Sequence, residues 1–148
     1  MADVWPAAGD EGTVPYVLDD DLVASARGGV AGFRSYVPDG VSVVLGRGSR
    51  PEVELDREAC AADGVPILRR PGGGCAVVLD PGNVIVAAAI PQEGLPRIRE
   101  LFASFTEWLL GGLRRVGVGG VSREDVSDLA LGDRKVGGAS LYRPRGTA

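Results

Sequence analysis

Short apolar segments closed by tight turns are the feature that most limits the fold of this chain. They lie at residues 31–37, 41–45, 65–69, 75–79 and 84–90. Proline, aspartate and glycine fill the turns, which predicts one hairpin turning at residues 38–40 and another turning at residues 80–83. Residues 126–131 and 135–142 predict a third hairpin that turns at Gly132 and Asp133.

Three other segments have the sequence pattern of helices. Residues 14–27 carry apolar side chains at helical intervals, and residues 51–62 begin with proline and acids and end before Gly64. The longest pattern covers residues 96–116, where apolar side chains recur in steps of three and four. This periodicity predicts an amphipathic helix that buries one face.

The composition fits one globular domain and excludes several classes of function. Of the 148 residues, 45% are hydrophobic and 24% are charged, and the net charge is −4. A nucleic-acid partner would need a basic excess, and no apolar stretch approaches the roughly 20 residues that span a bilayer. No signal segment is visible, so the chain is predicted to be cytoplasmic, with no nucleic-acid or membrane partner. Residues 1–13 are expected to form a flexible arm, and residues 14–148 a domain that is incomplete at its C-terminal end.

The absence of histidine removes several kinds of catalytic site. A Cys/His zinc site, a Cys–His pair and a Ser-His-Asp triad are all excluded. The two cysteines lack metal-ligand spacing, so no metal site is predicted. Cys75 is interpreted as a small strand residue, with a nucleophile as the alternative, and Cys60 as part of the core. Asp80 is interpreted as a turn residue that hydrogen-bonds the backbone.

A run of three glycines is the first candidate for a binding site. Gly72, Gly73 and Gly74 follow Arg69 and Arg70 directly. Glycines let backbone N–H groups face an anion, and arginines add charged donors. The alternative is a flexible loop or a bulge. The run is not a P-loop, because no Gly-Lys-Ser/Thr follows, and no helix opens directly after it as a dinucleotide fingerprint requires.

Lys135 is the second candidate, because every other basic residue in the chain is arginine. It begins an apolar segment rich in small residues, which leaves room for a ligand. A lysine ammonium is a compact point charge, unlike the planar guanidinium fork. It could therefore meet a carboxylate or phosphate oxygen, whereas the alternative is a solvated lysine beside a turn.

These two segments together resemble the catalytic domain of the lipoate-protein ligases, within the larger biotin and lipoate ligase superfamily. The first is RRPGGGCAVVLDPGN, the second is SDLALGDRKVGGASLYR, and the upstream stretch FRSYVPDGVSVVLGRGSRPEVELD resembles the family's opening hairpin. The resemblance covers roughly residues 15–145. It implies an α/β fold with a mixed, mostly antiparallel sheet flanked by helices.

The resemblance also implies an activity. The family activates lipoate with ATP and magnesium to lipoyl-adenylate and passes the lipoyl group to a lysine of a carrier domain, as in a 2-oxoacid dehydrogenase or a glycine-cleavage-type protein. On this reading Lys135 is catalytic, because it neutralises charge at the carboxylate and the α-phosphate. The residues expected to bind substrate and nucleotide are Arg69, Arg70, Gly72, Gly73, Gly74, Asn83, Asp128 and Gly138.

The chain departs from the family pattern at one position. Leu79 stands where the family commonly has a histidine. Many members also need an accessory domain, so a separate accessory chain is an expected partner. Two alternatives therefore stay open: an octanoyl or lipoyl transferase of the same superfamily, which acts through a cysteine, and a non-catalytic acyl-binding module. Ser122, with no cysteine upstream of Asp128, disfavours one transferase pattern, and the biotin branch uses a different glycine loop.

Overall fold

The computed structural model describes residues 12–92, 94 and 97–144, so most of the predicted N-terminal arm lies outside the described residues. The helices are α1 Asp20–Arg27, α2 Pro51–Glu54, α3 Arg57–Ala62 and α4 Ile98–Arg115. The strands are β1 Val14–Pro15, β2 Gly32–Tyr36, β3 Ser42–Leu45, β4 Ile67–Arg69, β5 Val77–Leu79, β6 Ile85–Ala89, β7 Val121–Glu124, β8 Asp128–Leu131 and β9 Arg134–Gly138. The described residues divide into two compact units, residues 12–92 with 142–144, and residues 94 and 97–141.

The first unit is built on a four-stranded sheet in the order β1-β4-β3-β5. Strand β4 runs parallel to both β1 and β3, and β5 runs antiparallel to β3. The buried side chains of Val43, Val44, Leu45 and Ile67 form the core of this sheet. A separate antiparallel pair, β2 with β6, packs against α1. The mixed, mostly antiparallel α/β architecture that the resemblance implies is confirmed.

The first two predicted hairpins are wrong, although their strands exist. Strand β2 pairs with β6 and not with β3, and β5 pairs with β3 and not with β6. The reason lies in β3, where three successive apolar residues are buried. A strand buried on both faces needs neighbours on both edges, and a parallel neighbour requires a crossover connection, which α2 and α3 provide.

Two predicted helices are shorter than the sequence pattern indicates. The helix expected over residues 14–27 begins at Asp20, because Val14 and Pro15 pair with β4 as strand β1. The helix expected over residues 51–62 is broken at Leu55, whose backbone is extended. Asp56 then caps α3 by accepting a hydrogen bond from the Ala59 N–H at 2.9 Å.

The second unit contains α4 and a three-stranded antiparallel meander, β7-β8-β9. The long amphipathic helix and the third hairpin are both confirmed, and Gly132 adopts a left-handed φ of +63° in the turn. Strand β7 was not predicted, because Val121 is its only apolar residue. Among the described residues, no helix combines the length and the hydropathy that crossing a membrane would require.

Candidate functional site

The glycine run, residues 72–74, connects β4 to β5 in the first unit. Gly72 is buried, whereas Gly73 and Gly74 are exposed. Gly74 has a φ of +94°, which favours glycine at that position. A Cβ added at Gly73 would meet no heavy atom within 4 Å. The run therefore presents open space at its centre and has a strict backbone requirement at its end.

The polar groups of the glycine run are divided between the protein and the exterior. Its first two carbonyl groups accept hydrogen bonds, from the Arg47 N–H at 2.8 Å and from Arg70 Nη2 at 2.8 Å, and the Gly74 carbonyl oxygen lies 3.3 Å from Ser49 Oγ. Within the described part of the chain, the N–H groups of its last two glycines donate no hydrogen bond. Neighbouring backbone N–H groups that are exposed can bind an anion together, when hydrogen bonds to the carbonyl groups of the same loop hold it in place.

The turn after β3 packs closely against the glycine run. A Cβ added at Gly46 would lie 1.9 Å from the carbonyl oxygen of Gly74, so only glycine allows this approach. Arg69 is 4% exposed, and its Nη1 donates to the carbonyl groups of Gly46 at 2.8 Å and Ser49 at 3.0 Å. Arg69 was predicted to bind ligand, and these contacts hold the turn.

Arg70 turns its side chain toward the loop that contains the glycine run. Its Nη1 donates to the Val44 carbonyl at 3.0 Å, and its Nη2 donates to the carbonyl groups of Gly73 at 2.8 Å and Cys75 at 2.9 Å. Burial lowers the pKa of this guanidinium, although an arginine stays charged at neutral pH. In this structure Arg70 shapes the loop, and its predicted contact with a ligand stays a prediction.

The predicted binding residue Asn83 lies in the turn between β5 and β6. Its Oδ1 accepts a hydrogen bond from the Asp80 N–H at 2.7 Å, and Asp80 Oδ1 accepts one from the Gly82 N–H at 2.7 Å. The interpretation of Asp80 as a turn residue is confirmed. Cys75 is exposed directly after the glycine run, and Cys60 is only partly buried in α3.

Sequence reasoning missed Glu54 at the end of α2. Its Oε2 accepts hydrogen bonds from the Ala76 N–H at 2.7 Å and from Ser49 Oγ at 3.1 Å. Its Oε1 accepts one from the Arg50 N–H at 3.1 Å. These bonds, led by the one from Ala76, lower the pKa of the Glu54 carboxyl. An acid in the first turn of a helix, after Pro51 at its start, was the available signal.

The second unit contains the other candidate cluster. Lys135 Nζ lies 2.6 Å from Asp128 Oδ2, and the two side chains are 63% and 35% exposed. Asp128 Oδ1 also accepts a hydrogen bond from Ser127 Oγ at 3.3 Å. The structure thus brings together two of the predicted site residues, which lie seven positions apart in the sequence, as an exposed ion pair.

A β-bulge brings Gly138 to the same cluster. Lys135 pairs with Ala130 and Gly138 pairs with Asp128, with a register shift between them. Residues three apart normally point to opposite faces of a strand, and one extra residue brings them to the same face. A Cβ at Gly138 would lie 3.5 Å from Lys135 Cε and 3.6 Å from Asp128 Oδ1, so a larger residue would crowd the pair.

The ion pair between Lys135 and Asp128 should be visible in the titration of the Asp128 carboxyl. The Lys135 ammonium, first through its hydrogen bond, holds the pKa of the Asp128 carboxyl below its ordinary value of 3.8. A lowered carboxyl pKa stabilises the fold above the unfolded value, and this contribution is lost as the pH falls through the folded value. We expect carboxyl NMR titration to show a midpoint below 3.8 for Asp128, and a return toward 3.8 in Lys135→Ala. An unchanged midpoint in that variant would exclude the pairing.

The donor set of the described residues does not resemble a resident metal site. No group of three or more His, Cys, Asp or Glu side chains is placed to hold a metal ion in this part of the chain. Magnesium that arrives with a nucleotide is a different case, because phosphate oxygens and waters supply most of its ligands and one or two carboxylates suffice. The described residues therefore contain no preassembled site for a resident metal ion.

The glycine run and the Lys135–Asp128 pair both lie in a segment that matches one protein family. Residues 16–148 match the lipoyl protein ligase A/B catalytic domain. A protein of Aeropyrum pernix assigned as a lipoate-protein ligase A is 38% identical over 128 residues, which cover 85% of this chain and 47% of that protein. An octanoyltransferase LipM of an Exiguobacterium species is 33% identical over 112 residues, covering 74% of this chain and 38% of that protein. The chain spans less than half the length of either relative.

Solved structures have the same fold. A lipoate-protein ligase A bound with ATP superimposes with a TM-score of 0.71 at 24% identity, covering 86% of this chain and 57% of that one. A chain from the bipartite lipoate protein ligase and E2 lipoyl domain of Thermoplasma acidophilum gives a TM-score of 0.70 at 25% identity, covering 86% and 52%. The chain belongs to the lipoyl protein ligase A/B catalytic domain family of acyl ligases and transferases.

Proposed function

We propose that this chain is the catalytic domain of a lipoate-protein ligase. The lipoate carboxylate attacks the α-phosphorus of ATP, so that pyrophosphate leaves and lipoyl-adenylate forms. A lysine amine of the carrier domain then attacks the acyl carbon, and AMP leaves. The observation that carries this proposal is the glycine run, whose first two carbonyl groups accept hydrogen bonds from the protein and whose last two N–H groups are unused in the described structure.

The glycine run suits the anionic parts of these reactants. Gly73 and Gly74 offer N–H donors at an open surface, which favours a phosphate or carboxylate oxygen. Arg70 contributes by fixing the carbonyl groups of the loop, so the donors need little rearrangement when charge develops. Asn83 lies in the turn at the other end of β5, and its contact with substrate or nucleotide stays a prediction.

Lys135 suits the neutralisation of charge on the carboxylate and the α-phosphate. Its side chain is 63% exposed, and its partner Asp128 is within reach at 2.6 Å. Exposed ion pairs contribute only about 0–1 kcal/mol, so Lys135 exchanges Asp128 for a ligand oxygen at small cost. Gly138 leaves the space beside the ammonium that such an exchange requires.

The carrier and the accessory domain are part of the same proposal. A lipoyl domain of a 2-oxoacid dehydrogenase, or a glycine-cleavage-type carrier, would supply the acceptor lysine. A separate accessory ligase domain is supported by the likeness to a bipartite ligase. The cytoplasm is the compartment in which we place this reaction.

An octanoyl or lipoyl transferase is the second candidate. The similarity to an octanoyltransferase LipM favours it, as does the exposed thiol of Cys75 directly after the glycine run. In that reaction the Cys75 thiolate would attack the acyl carbon of a thioester on a donor carrier, and the carrier thiol would leave. A lysine amine of the acceptor would then attack the acyl carbon, form the amide and release the Cys75 thiolate. Leu79, in place of the family histidine, supports a third possibility, an acyl-binding module without catalysis.

Mass spectrometry of a carrier domain separates these three functions. The carrier is incubated with the chain, lipoate, ATP and magnesium, with and without a separately supplied accessory domain. Modification that requires ATP is expected for the ligase and should persist in Cys75→Ser. Modification from an acylated donor carrier alone, abolished in Cys75→Ser, would identify the transferase. Lipoate binding without any modification would identify the binding module.

Gly73→Val is expected to block the ligand and leave the fold intact. The added side chain fills open space and meets no protein atom within 4 Å at its Cβ. We expect the Kd for lipoate or ATP, measured by calorimetry, to rise at least about tenfold. Gly48→Val is the matched control, because Gly48 also faces open space. Equal ligand affinity in both variants would contradict a pocket at the glycine run.

A further inference from the structure

We infer that Glu54 is a positioning residue that holds the glycine run in its ligand-binding conformation. This inference rests on the proposed function, and it adds a residue on a different element. Glu54 closes helix α2, and its carboxylate reaches the segment after the run to accept the Ala76 N–H at 2.7 Å. It connects two parts of the chain that are 22 positions apart.

The bonds of Glu54 connect the C-terminal end of the loop that contains the glycine run to the turn after β3. Through Ser49 Oγ, at 3.1 Å, the carboxylate is linked to the Gly46 N–H, which donates to the same hydroxyl at 3.1 Å. The same hydroxyl lies 3.3 Å from the Gly74 carbonyl oxygen. The carboxylate therefore helps to hold Gly74 and Ala76 in position just before strand β5.

The direction of these bonds explains why a carboxylate suits a place beside an anion site. Glu54 accepts the Ala76 N–H, whereas the N–H groups of Gly73 and Gly74 stay unused within the described chain. The charge of Arg69 lies close enough to lower the pKa of the Glu54 carboxyl further. The exposed Glu54 carboxylate thus has a positive charge nearby as well as its three hydrogen-bond donors.

A simple helix cap does not account for this arrangement. The bond that the Arg50 N–H donates to Glu54 Oε1 at 3.1 Å would suffice for capping α2. The second oxygen serves Ala76 and Ser49, which lie outside the helix. Glu52, on the same helix, is exposed and has no hydrogen bond among the described residues, so it provides a matched control.

Glu54→Gln, in the full chain, tests the inference in two independent measurements. The variant keeps the shape but removes the charge, and its single carbonyl oxygen cannot accept from both Ala76 and Arg50, so the bond from Ala76 is weakened or lost. Amide hydrogen exchange by NMR should show faster exchange at Ala76 by about tenfold, the scale of a lost bond to a charged group. The Arg70 N–H, which donates to the Leu45 carbonyl at 2.9 Å, should stay within about twofold and reports the core.

Binding of ATP with magnesium is the second measurement. We expect the Kd of Glu54→Gln to rise about tenfold, and Glu52→Gln to match the unaltered chain. Glu54→Asp keeps the charge but loses reach, and should weaken binding similarly. Tighter binding in Glu54→Gln would mean that its charge only repels the nucleotide, and would overturn the inference.

The outcomes also separate this inference from the proposed function. Unchanged exchange at Ala76, or faster exchange at Ala76 and Arg70 alike, overturns the positioning role whatever the ligand result. If the unaltered chain binds neither ATP nor lipoate, the proposed function fails, and so does the role of Glu54 in ligand binding. Faster exchange at Ala76 but not at Arg70, together with weaker ATP binding in Glu54→Gln, supports both the positioning role and the proposed function.

Discussion

Lys135→Ala is expected to lower kcat/KM for lipoyl transfer by about 10²–10³, the usual loss when one preorganised charge stabiliser is removed. The ammonium is the only lysine charge in the chain, and it stands exposed at 63% beside a strand residue without a side chain, Gly138. Mass spectrometry of the carrier in samples quenched at successive times gives the rate of lipoyl transfer. Undiminished activity in this variant would remove Lys135 from the catalytic site.

The controls for Lys135 distinguish lost chemistry from a lost fold. Breaking its exposed pair with Asp128 should leave the urea unfolding midpoint close to that of the unaltered chain. Arg134→Ala removes the neighbouring exposed charge of the same strand and should leave kcat/KM within about threefold. Lys135→Arg should lose activity too, because a planar fork does not replace a compact ammonium.

Gly46→Ala is expected to have the largest effect on the first unit. Its Cβ would lie 1.9 Å from the carbonyl oxygen of Gly74 and 3.2 Å from the carbonyl carbon of Gly73. Both contacts are with backbone, so the β3 turn and the glycine run must separate. We expect the free energy of unfolding in urea to fall by about 1–3 kcal/mol and ATP binding to be lost.

Gly48→Ala is the matched control for Gly46. It lies in the same turn, and an added Cβ would meet no atom within 4 Å. Its stability should stay within about 0.5 kcal/mol of the unaltered chain, as for most surface substitutions. If Gly46→Ala were equally harmless, the close approach of the two backbones in solution would be refuted.

The parts of the fold that could be predicted are those determined by local sequence. Helix α4 has an apolar stripe over five turns, and the β8–β9 hairpin has Gly132 where the turn requires a positive φ. The pairing of distant strands could not be predicted in the same way. Strand β6 pairs with β2 across some fifty residues, and turn residues give no information about such partners.

The residues of the candidate site also fall into two groups, those that the local sequence could predict and those that it could not. The glycine run and Lys135 stand out by composition alone, and their pairing suggested the family. Gly46 and Glu54 could not be recognised, because their importance comes from contacts with Gly74 and Ala76, which are more than twenty residues away. Such contacts become visible only when the sheet brings β3 and the start of β5 together.

The inward orientation of Arg70 has a consequence for attempts to redesign the acyl specificity of this domain. Arginines beside a glycine loop invite randomisation in a mutant library, yet this side chain donates to carbonyl groups of the protein itself. Diversifying it would mostly yield misshapen loops and not new selectivities. Substitutions at Gly73, where a side chain has room, would keep the fold and show instead how much space the ligand needs beside the loop.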